Sequence, residues 1–336
     1  MIASRYVSVM TIVRLLRASL LVYLLATSFS VGSTWATTAI VDAGGFEGFS
    51  LGNLVGQAGW AGAGGGGGSA TLQNTTVESG SRAVRVDRAA LSDDRWAMPV
   101  GGQGFPNNRY ILVEWDMNVT ATGAPNGTFG PFLGVDTYKA PSGFSVLGAL
   151  GVDATTGDVL YQQQNSGFIA ETGMTVDFGE WNSFAMLLDF EDDEYTMFLN
   201  DSFVLTTGFV DGAASTFTDA DIAAFAAGGD PNSQNQTGTA YFDNFRVLDI
   251  SLADFDIDGD VDGDDFETWD FAYAVSADGD TNSDGDTDGD DFLLLQRDSD
   301  AAAPLAGLVT SVPEPSTMSA LCLSLAVLAS LRRCPS

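Results

Sequence analysis

The stretch Ile111-Leu112-Val113-Glu114-Trp115-Asp116-Met117-Asn118-Val119 decides the fold class of this chain. Apolar side chains at positions 111, 113, 115, 117 and 119 alternate with polar ones at 114, 116 and 118, which is the period of a half-buried β-strand. Residues 184–190 repeat this alternation, and a polar turn at residues 191–193 leads into another apolar run at 194–199. These segments predict antiparallel strands joined by tight turns.

Shorter strands are predicted at residues 83–86, 144–152 and 241–248. One helix is predicted over residues 219–227, because Thr218 is a suitable N-cap, the segment is rich in alanine and two glycines follow it. Many short strands with one minor helix indicate a mainly β domain, a β-sandwich, over residues 40–249.

The sandwich closes with the sequence Tyr241-Phe-Asp243-Asn244-Phe245-Arg246-Val247. Together with the strand, turn and strand of residues 181–205, it resembles the concanavalin A-like lectin, laminin G-like and glucanase superfamily, over residues 40–249. The resemblance implies a jelly-roll β-sandwich with a carbohydrate or glycoprotein ligand. It implies no single activity, since one fold hosts many functions.

Laminarinase-type members of that superfamily carry Glu-x-Asp-x-x-Glu on one strand, which holds their catalytic carboxylates. This chain has Glu114-Trp115-Asp116, but Val119 stands in the place of the second glutamate. Glu114 and Asp116 are therefore interpreted as solvated carboxylates on a strand face, and no catalytic residue is predicted. The absence of histidine excludes serine–histidine catalysis and histidine-ligated metal centres. A glycoside hydrolase remains the alternative to a binding or purely structural protein.

Two copies of one twelve-residue pattern lie at residues 254–265 and 280–291. Calcium prefers six to eight oxygen ligands, which such a loop supplies from its positions 1, 3, 5, 7, 9 and 12, with glycine at position 6 for the turn. Gly259 and Gly285 occupy position 6, and Val261 and Thr287 are the β-branched residues at position 8. The candidate calcium ligands are Asp254, Asp256, Asp258, Asp260, Asp262, Asp265, Asp280, Asn282, Asp284, Asp286, Asp288 and Asp291. The sequence predicts two calcium ions.

Each loop is followed by an apolar helix start, with Phe266, Trp269 and Tyr273 on one face after the first loop. No helix precedes the first loop, and the last ligand is Asp instead of Glu. These features resemble a dockerin module, over residues 250–300, which implies two calcium ions and a cohesin partner. Loop positions 10 and 11 are Gly-Asp in both copies, unlike the pairs that choose a cohesin in dockerins, so the cohesin-like partner stays open. The alternative is a disordered acidic linker.

The chain has 45 acidic and 13 basic residues, a formal net charge of −32. Such a surface repels nucleic acid and anionic lipid and attracts cations. A nucleic-acid-binding function is therefore excluded.

The amino end has the features of a secretory signal. Arg5, Arg14 and Arg17 form a basic start, residues 18–31 are mostly apolar and carry no charge, and small residues follow, so residues 1–39 are interpreted as a cleaved signal peptide. A retained membrane anchor is the alternative. The apolar stretch is shorter than the roughly 20 residues that a spanning helix needs.

The carboxyl end carries the motif Pro313-Glu314-Pro315, an apolar run at residues 318–331 and then Arg332-Arg333. Residues 312–336 resemble the PEP-CTERM sorting signal of Gram-negative bacteria, which implies a short transmembrane helix and cleavage by an exosortase-type protease. A plain tail anchor is the alternative. Residues 301–311 are interpreted as a linker. From the signals at its two ends, the protein is expected to be exported to the cell surface, outer membrane or extracellular matrix. Both cysteines, Cys322 and Cys334, lie in this tail, so the mature protein is expected to have no disulfide.

Two tryptophans in predicted loops, Trp60 and Trp96, are the candidates for stacking on a sugar ring. Core packing is the alternative for both, and it is favoured for Trp115 and Trp181. The glycine run at residues 64–68 lacks the Lys-Ser/Thr of a phosphate-binding loop and is interpreted as a flexible loop.

Overall fold

A computed structural model describes residues 38–97, 110–123, 129–139, 145–226, 232–255, 261–281 and 285–299. Residues 1–37 of the predicted signal peptide, the linker and the whole sorting tail lie outside these ranges, including Pro313, Glu314 and Pro315. Within the described ranges, no helix is both long and apolar enough to cross a bilayer.

The described residues form a mainly β protein with two antiparallel sheets of nine and seven strands. The order in the first sheet is β14-β13-β12-β7-β16-β5-β4-β2, with β1 also paired to β16. Its strands are β1 (Thr38–Asp42), β2 (Gly52–Asn53), β4 (Ser69–Gln73), β5 (Ala83–Arg88), β7 (Tyr110–Thr120), β12 (Trp181–Asp189), β13 (Glu194–Leu199), β14 (Ser202–Gly208) and β16 (Gly238–Ile250).

The second sheet has the order β11-β10-β9-β8-β15-β6-β3. Its strands are β3 (Ala61–Gly64), β6 (Asp94–Ala97), β8 (Pro131–Lys139), β9 (Ser145–Asp153), β10 (Asp158–Gln162), β11 (Ile169–Thr175) and β15 (Asp219–Ala226). One face of this sheet shares the main core with the first sheet, and we call the opposite face the outer face of the second sheet.

The alternating stretch forms β7, in the middle of the first sheet. Val113, Trp115 and Met117 are at most 1% exposed, and Trp115 stacks on Phe184 of β12 with ring centroids 5.6 Å apart. Main-core residues of the second sheet, such as Val135, are also fully buried. The prediction of a β-sandwich from strand periodicity is confirmed.

The helix predicted at residues 219–227 is wrong, because residues 219–226 form β15 between β8 and β6. Ala220, Ile222 and Ala224 point into the main core, while Ala223 and Phe225 belong to a second apolar cluster on the outer face. The strand is buried on both faces, so its polar–apolar alternation is weak. Pairing with two neighbours overrides the helix propensity of its alanines.

The glycine run at residues 64–68 has a defined structure around the buried Asp94 carboxylate. The backbone N–H groups of Gly66 and Gly68 donate to Asp94 at 3.0 and 2.9 Å, and Gly67 N–H donates to Ser92 Oγ at 2.8 Å. A Cβ on Gly68 would lie 2.4 Å from Asp94 Oδ2. The glycines therefore allow the backbone to approach a buried anion closely, a role that the flexible-loop interpretation missed.

Two helices follow β16: α1 (Gly263–Ala272) and α2 (Gly289–Asp298). Each has a capping box, with Asp262 or Asp288 as N-cap and the aspartate three residues later accepting a hydrogen bond from the N-cap N–H through its carboxylate. The N-caps are loop position 9 and their partners loop position 12, so each predicted calcium loop ends in a helix start.

Candidate functional sites

The second predicted calcium loop brings three carboxylates together. Asp286, Asp288 and Asp291 each offer an oxygen within 4.8 Å of the other two. Asp286 and Asp288 are exposed, whereas Asp291 is fully buried. Three carboxylate oxygens at this separation are suited to a hard divalent cation such as calcium.

The aspartates at position 12 of the two loops, Asp265 and Asp291, occupy equivalent places. Both are fully buried. Asp291 Oδ1 accepts the N–H of Thr281 at 2.9 Å and its Oδ2 accepts that of Asp288 at 2.7 Å. Asp265 accepts the N–H groups of Phe255 and Asp262 at 2.5 and 2.8 Å. Each of these aspartates therefore ties the start of its loop to the start of the following helix.

Some of the other predicted calcium ligands lie among the residues that the structure describes, and the rest lie outside them. Asp254 is 3% exposed, and Asp280 Oδ2 accepts the N–H of Gly285 at 2.8 Å. Gly285 has φ +101°, as the sharp turn at position 6 requires. The remaining candidates lie outside the described residues: Asp256, Asp258, Asp260, Asn282 and Asp284.

A small apolar cluster joins the two helices. Trp269 of α1 packs against Phe292 of α2 with centroids 4.6 Å apart, and its indole N–H donates to the Asp288 carbonyl at 3.1 Å. Ser251 Oγ, directly after β16, donates to Asp298 Oδ2 at the end of α2 at 2.9 Å. The beginning and the end of this region are therefore adjacent.

The donor set fits calcium. Carboxylates surround both loop ends, and the described part of this region has one basic side chain, Arg297, which pairs with Asp298 at 2.6 Å. The loops therefore hold many hard oxygen donors with little positive charge to oppose a cation.

Neither Trp60 nor Trp96 presents a ring to a ligand in this structure. Trp60 is 1% exposed and packs on Phe245, and Trp96 is 4% exposed within the main core. Trp96 lies on β6, so the prediction that it stands in a loop is wrong. Core packing, the alternative interpretation, describes both side chains.

Glu114 and Asp116 project from β7 on the face opposite the core. Arg246 donates to Glu114 Oε2 at 2.7 Å, and Asn244 Nδ2 donates to Asp116 Oδ2 at 2.7 Å. Partial burial raises the pKa of Glu114, although Arg246 opposes this, and burial raises the pKa of Asp116. Both carboxylates are held in structural contacts instead of being freely solvated.

A carboxylate pair that the sequence did not predict lies on the outer face of the second sheet. Asp136 of β8 and Asp221 of β15 are directly opposed in register and are 1% and 3% exposed. Arg95 Nε and Tyr138 Oη both donate to Asp136 Oδ2 at 2.7 Å. Among the residues that the structure describes, the Oδ1 atoms of Asp136 and Asp221 have no hydrogen-bond partner.

Burial raises the pKa of Asp221 to about 9, and the negative charges of Asp136 and Asp219 add to this effect. Burial also raises the pKa of Asp136, although Arg95 opposes it. Two opposed carboxylates in a poorly solvated place do not both ionise easily, so the pair holds one proton at neutral pH.

Two aromatic rings lie beside this pair. Phe132 of β8 and Phe225 of β15 stack with centroids 4.4 Å apart, and the Arg95 guanidinium lies 4.9 Å from the Phe225 centroid. The sequences Asp136-Thr-Tyr138 and Asp219-Ala-Asp221 each place two polar residues on the same face of a strand, because residues i and i+2 share a face. This spacing was the sequence pattern that could have indicated a polar site here.

No protein-family model and no curated protein matches the chain. Among solved structures, the chain is similar to a sialidase at 11% identity and TM-score 0.44, over 64% of this chain and 18% of that one. It is similar to a cellulose-induced protein, Cip1, at 16% identity and TM-score 0.43, over 57% and 92%. It is also similar to the alginate lyase Aly36B at 13% identity and TM-score 0.40, over 64% and 97%. At these TM-scores, function has to be argued from the chain's own residues.

Proposed function

We propose that the chain is an exported, calcium-binding, glycan-binding protein in which residues 250–300 fold around two calcium ions. The observation that carries the calcium proposal is the convergence of Asp286, Asp288 and the buried Asp291 within 4.8 Å. Asp265 repeats the contacts of Asp291 in the first loop, which supports a second, equivalent ion.

Calorimetric titration of calcium into the full chain tests this proposal, with two ions per molecule as the expected result. Asp291→Asn should remove one ion, because calcium favours an ionised carboxylate over a neutral amide at this position. Asp290→Asn is the matched control, since Asp290 is the exposed neighbour at loop position 11. Uptake of fewer than two ions, or equal effects of the two substitutions, would contradict the proposal.

The β-sandwich is proposed to supply the glycan-binding or matrix-scaffolding role. Support comes from the resemblance of its closing strand to lectin-like sandwiches and from the outer face of the second sheet. There, the partly exposed Arg95 and Asp219 lie beside the buried carboxyl groups of Asp136 and Asp221, and such a convergence of polar groups is typical of ligand sites.

A glycan panel and a reducing-sugar assay on the same polysaccharides separate this role from its alternatives. Binding without turnover is expected, because Glu114 is paired with Arg246 and Val119 supplies no acid on β7. Sugar release that is lost in Glu114→Gln would establish a glycoside hydrolase instead. A chain that binds none of the glycans would be a purely structural surface protein.

Surface sorting is a separate proposal that rests on the tail sequence. An exosortase-type protease is the proposed partner for Pro313-Glu314-Pro315, and a cohesin-like protein remains a possible partner for residues 250–300. Replacing the three motif residues with alanine should leave the tail uncleaved, which mass spectrometry of the exported protein would detect. Normal cleavage of that variant would contradict the sorting proposal.

A further inference from the structure

Asp136 and Asp221 have the features of a built ligand site. Directly opposed residues on antiparallel strands have Cβ atoms about 5 Å apart, so their carboxyl groups can reach one ligand atom together. Both residues are at least nine-tenths buried, and each has one oxygen without a hydrogen-bond partner among the described residues. Buried polar atoms are nearly always partnered in native structures, so the two oxygens indicate a missing proton or ligand.

The charged groups facing the pair leave an excess of negative charge. Arg95 is the cation bonded to this pair, and it is already engaged by Asp136 and by the Phe225 ring. Asp219, on the same face of β15, adds a further negative charge near Asp221. An uncompensated buried carboxylate is strongly unfavourable, so Asp221 must hold either a proton or an external cation.

We propose that Asp136 and Asp221 bind the ammonium group of an amino sugar within a glycan. This inference rests on the proposed glycan-binding role and names its ligand class. An ammonium group has three N–H donors, so it can satisfy both unpartnered oxygens and replace the proton that the pair shares.

Other ligand classes fit the pair less well. A divalent metal at this pair would lie close to the positively charged Arg95 guanidinium. Among the described residues, the three carboxylates close enough to share one metal ion are those of the second predicted calcium loop, not those of this pair. An acidic sugar would be repelled by Asp219. A neutral sugar would leave the negative charge uncompensated.

The surroundings favour a sugar over an extended amine such as lysine. Gly134 and Ala223 lie side by side in register next to the pair, and the Phe132 ring lies against the neighbouring Gly151, 2.6 Å from where a Cβ of that residue would be. Phe132 and Phe225 border this surface. The Arg95 side chain is 23% exposed and Asp219 is half-buried, so solvent reaches the rim of the pair.

Calorimetry at pH 6 with the full chain in saturating calcium tests the inference. The probes are free D-glucosamine and the hexamers of glucosamine, glucose (β-1,4-linked), alginate and lysine. Measurement in two buffers of different ionisation enthalpy counts the protons released. The glucosamine hexamer should bind with release of about one proton, and Asp221→Asn should weaken it about tenfold or more and abolish the release. Glu171→Gln, an exposed carboxylate on β11, is the control and should bind like the wild type.

The outcomes separate the inference from the glycan-binding role. Binding of glucose or alginate hexamers that Asp221→Asn leaves unchanged would overturn the ammonium site and keep the glycan role. Tighter binding of the lysine hexamer than of the glucosamine hexamer would assign the site to peptides and overturn the inference. Proton-releasing binding of free glucosamine without binding of any sugar hexamer would support the ammonium site and contradict the glycan role.

Discussion

Replacing Asp221 with Asn should remove a pH dependence of folding that one residue imposes. Asp221 has a pKa of about 9 in the folded chain, because it is buried opposite Asp136 and near Asp219, against 3.8 for an ordinary aspartate. Between these values the folded chain keeps a proton that the unfolded chain has released. Unfolding therefore releases a proton, and the free energy of unfolding falls as pH rises through this window.

The magnitude follows from the size of that window. One proton changes the free energy of unfolding by at most ~1.4 kcal/mol per pH unit. From pH 6 to pH 8 the wild type should therefore lose about 2 kcal/mol more than Asp221→Asn, because relaxation around a buried charge keeps the effect below the limit. Asn has nearly the same shape as Asp and does not titrate. The substitution therefore keeps the packing and removes the dependence of the free energy of unfolding on the release of this proton.

Urea unfolding at pH 6, 7 and 8, in saturating calcium, measures the effect as the difference between the wild type and the variant. Other titrating groups are common to both proteins and cancel in that difference. Glu171→Gln, which removes an exposed carboxylate of the same sheet, should keep the wild-type slope. Parallel pH profiles for the wild type and Asp221→Asn would refute the buried proton and the reasoning about the pair.

Three further results are expected. Gly68→Ala should lower the free energy of unfolding by roughly 1–3 kcal/mol, because its Cβ would lie 2.4 Å from Asp94 Oδ2 and 3.0 Å from the Asp87 carbonyl oxygen. Gly65→Ala, whose Cβ would meet nothing within 4 Å, should change stability by less than about 0.5 kcal/mol, and equal losses in urea unfolding would contradict the close approach. Trp115→Ala should cost about 3–5 kcal/mol by the same assay, since the ring is 1% exposed and stacks on Phe184; a loss below 1 kcal/mol would place it outside the core. Chelating calcium should abolish the near-ultraviolet circular dichroism of the Trp269–Phe292 contact, and a signal that persists in chelator would show that the helices pack without the ion.

The parts of the fold with a local sequence pattern were predictable. The alternation of β7 identifies a strand because each inward residue from Ile111 to Val119 is apolar and the outward residues Glu114, Asp116 and Asn118 are polar. The helix starts after the two acidic loops were also visible, since caps and apolar faces are encoded within a few residues. Such features depend on neighbours in the chain and need no knowledge of the tertiary structure.

The parts that depend on pairing were not predictable. β15 has alanine on both faces, so only its position between β8 and β6 makes it a strand. Asp136, Asp221 and Arg95 come from three separate segments and meet through register, which a single sequence does not reveal. Trp60 and Trp96 are core residues that could not be identified as such for the same reason, because sequence alone does not tell that the loop of Trp60 folds back onto the core or that Trp96 lies on a strand.

The hydrogen bond from Ser251 to Asp298 has a mechanical consequence. The backbone enters the calcium-loop region at Ser251 and leaves it directly after Asp298, and these two points are clasped together at 2.9 Å. Tension along the chain would therefore load this hydrogen bond before it stretched the two acidic loops, which lie between Ser251 and Asp298 in the chain. The two acidic loops would thus be protected from a pull on the carboxyl side of the chain until this contact broke.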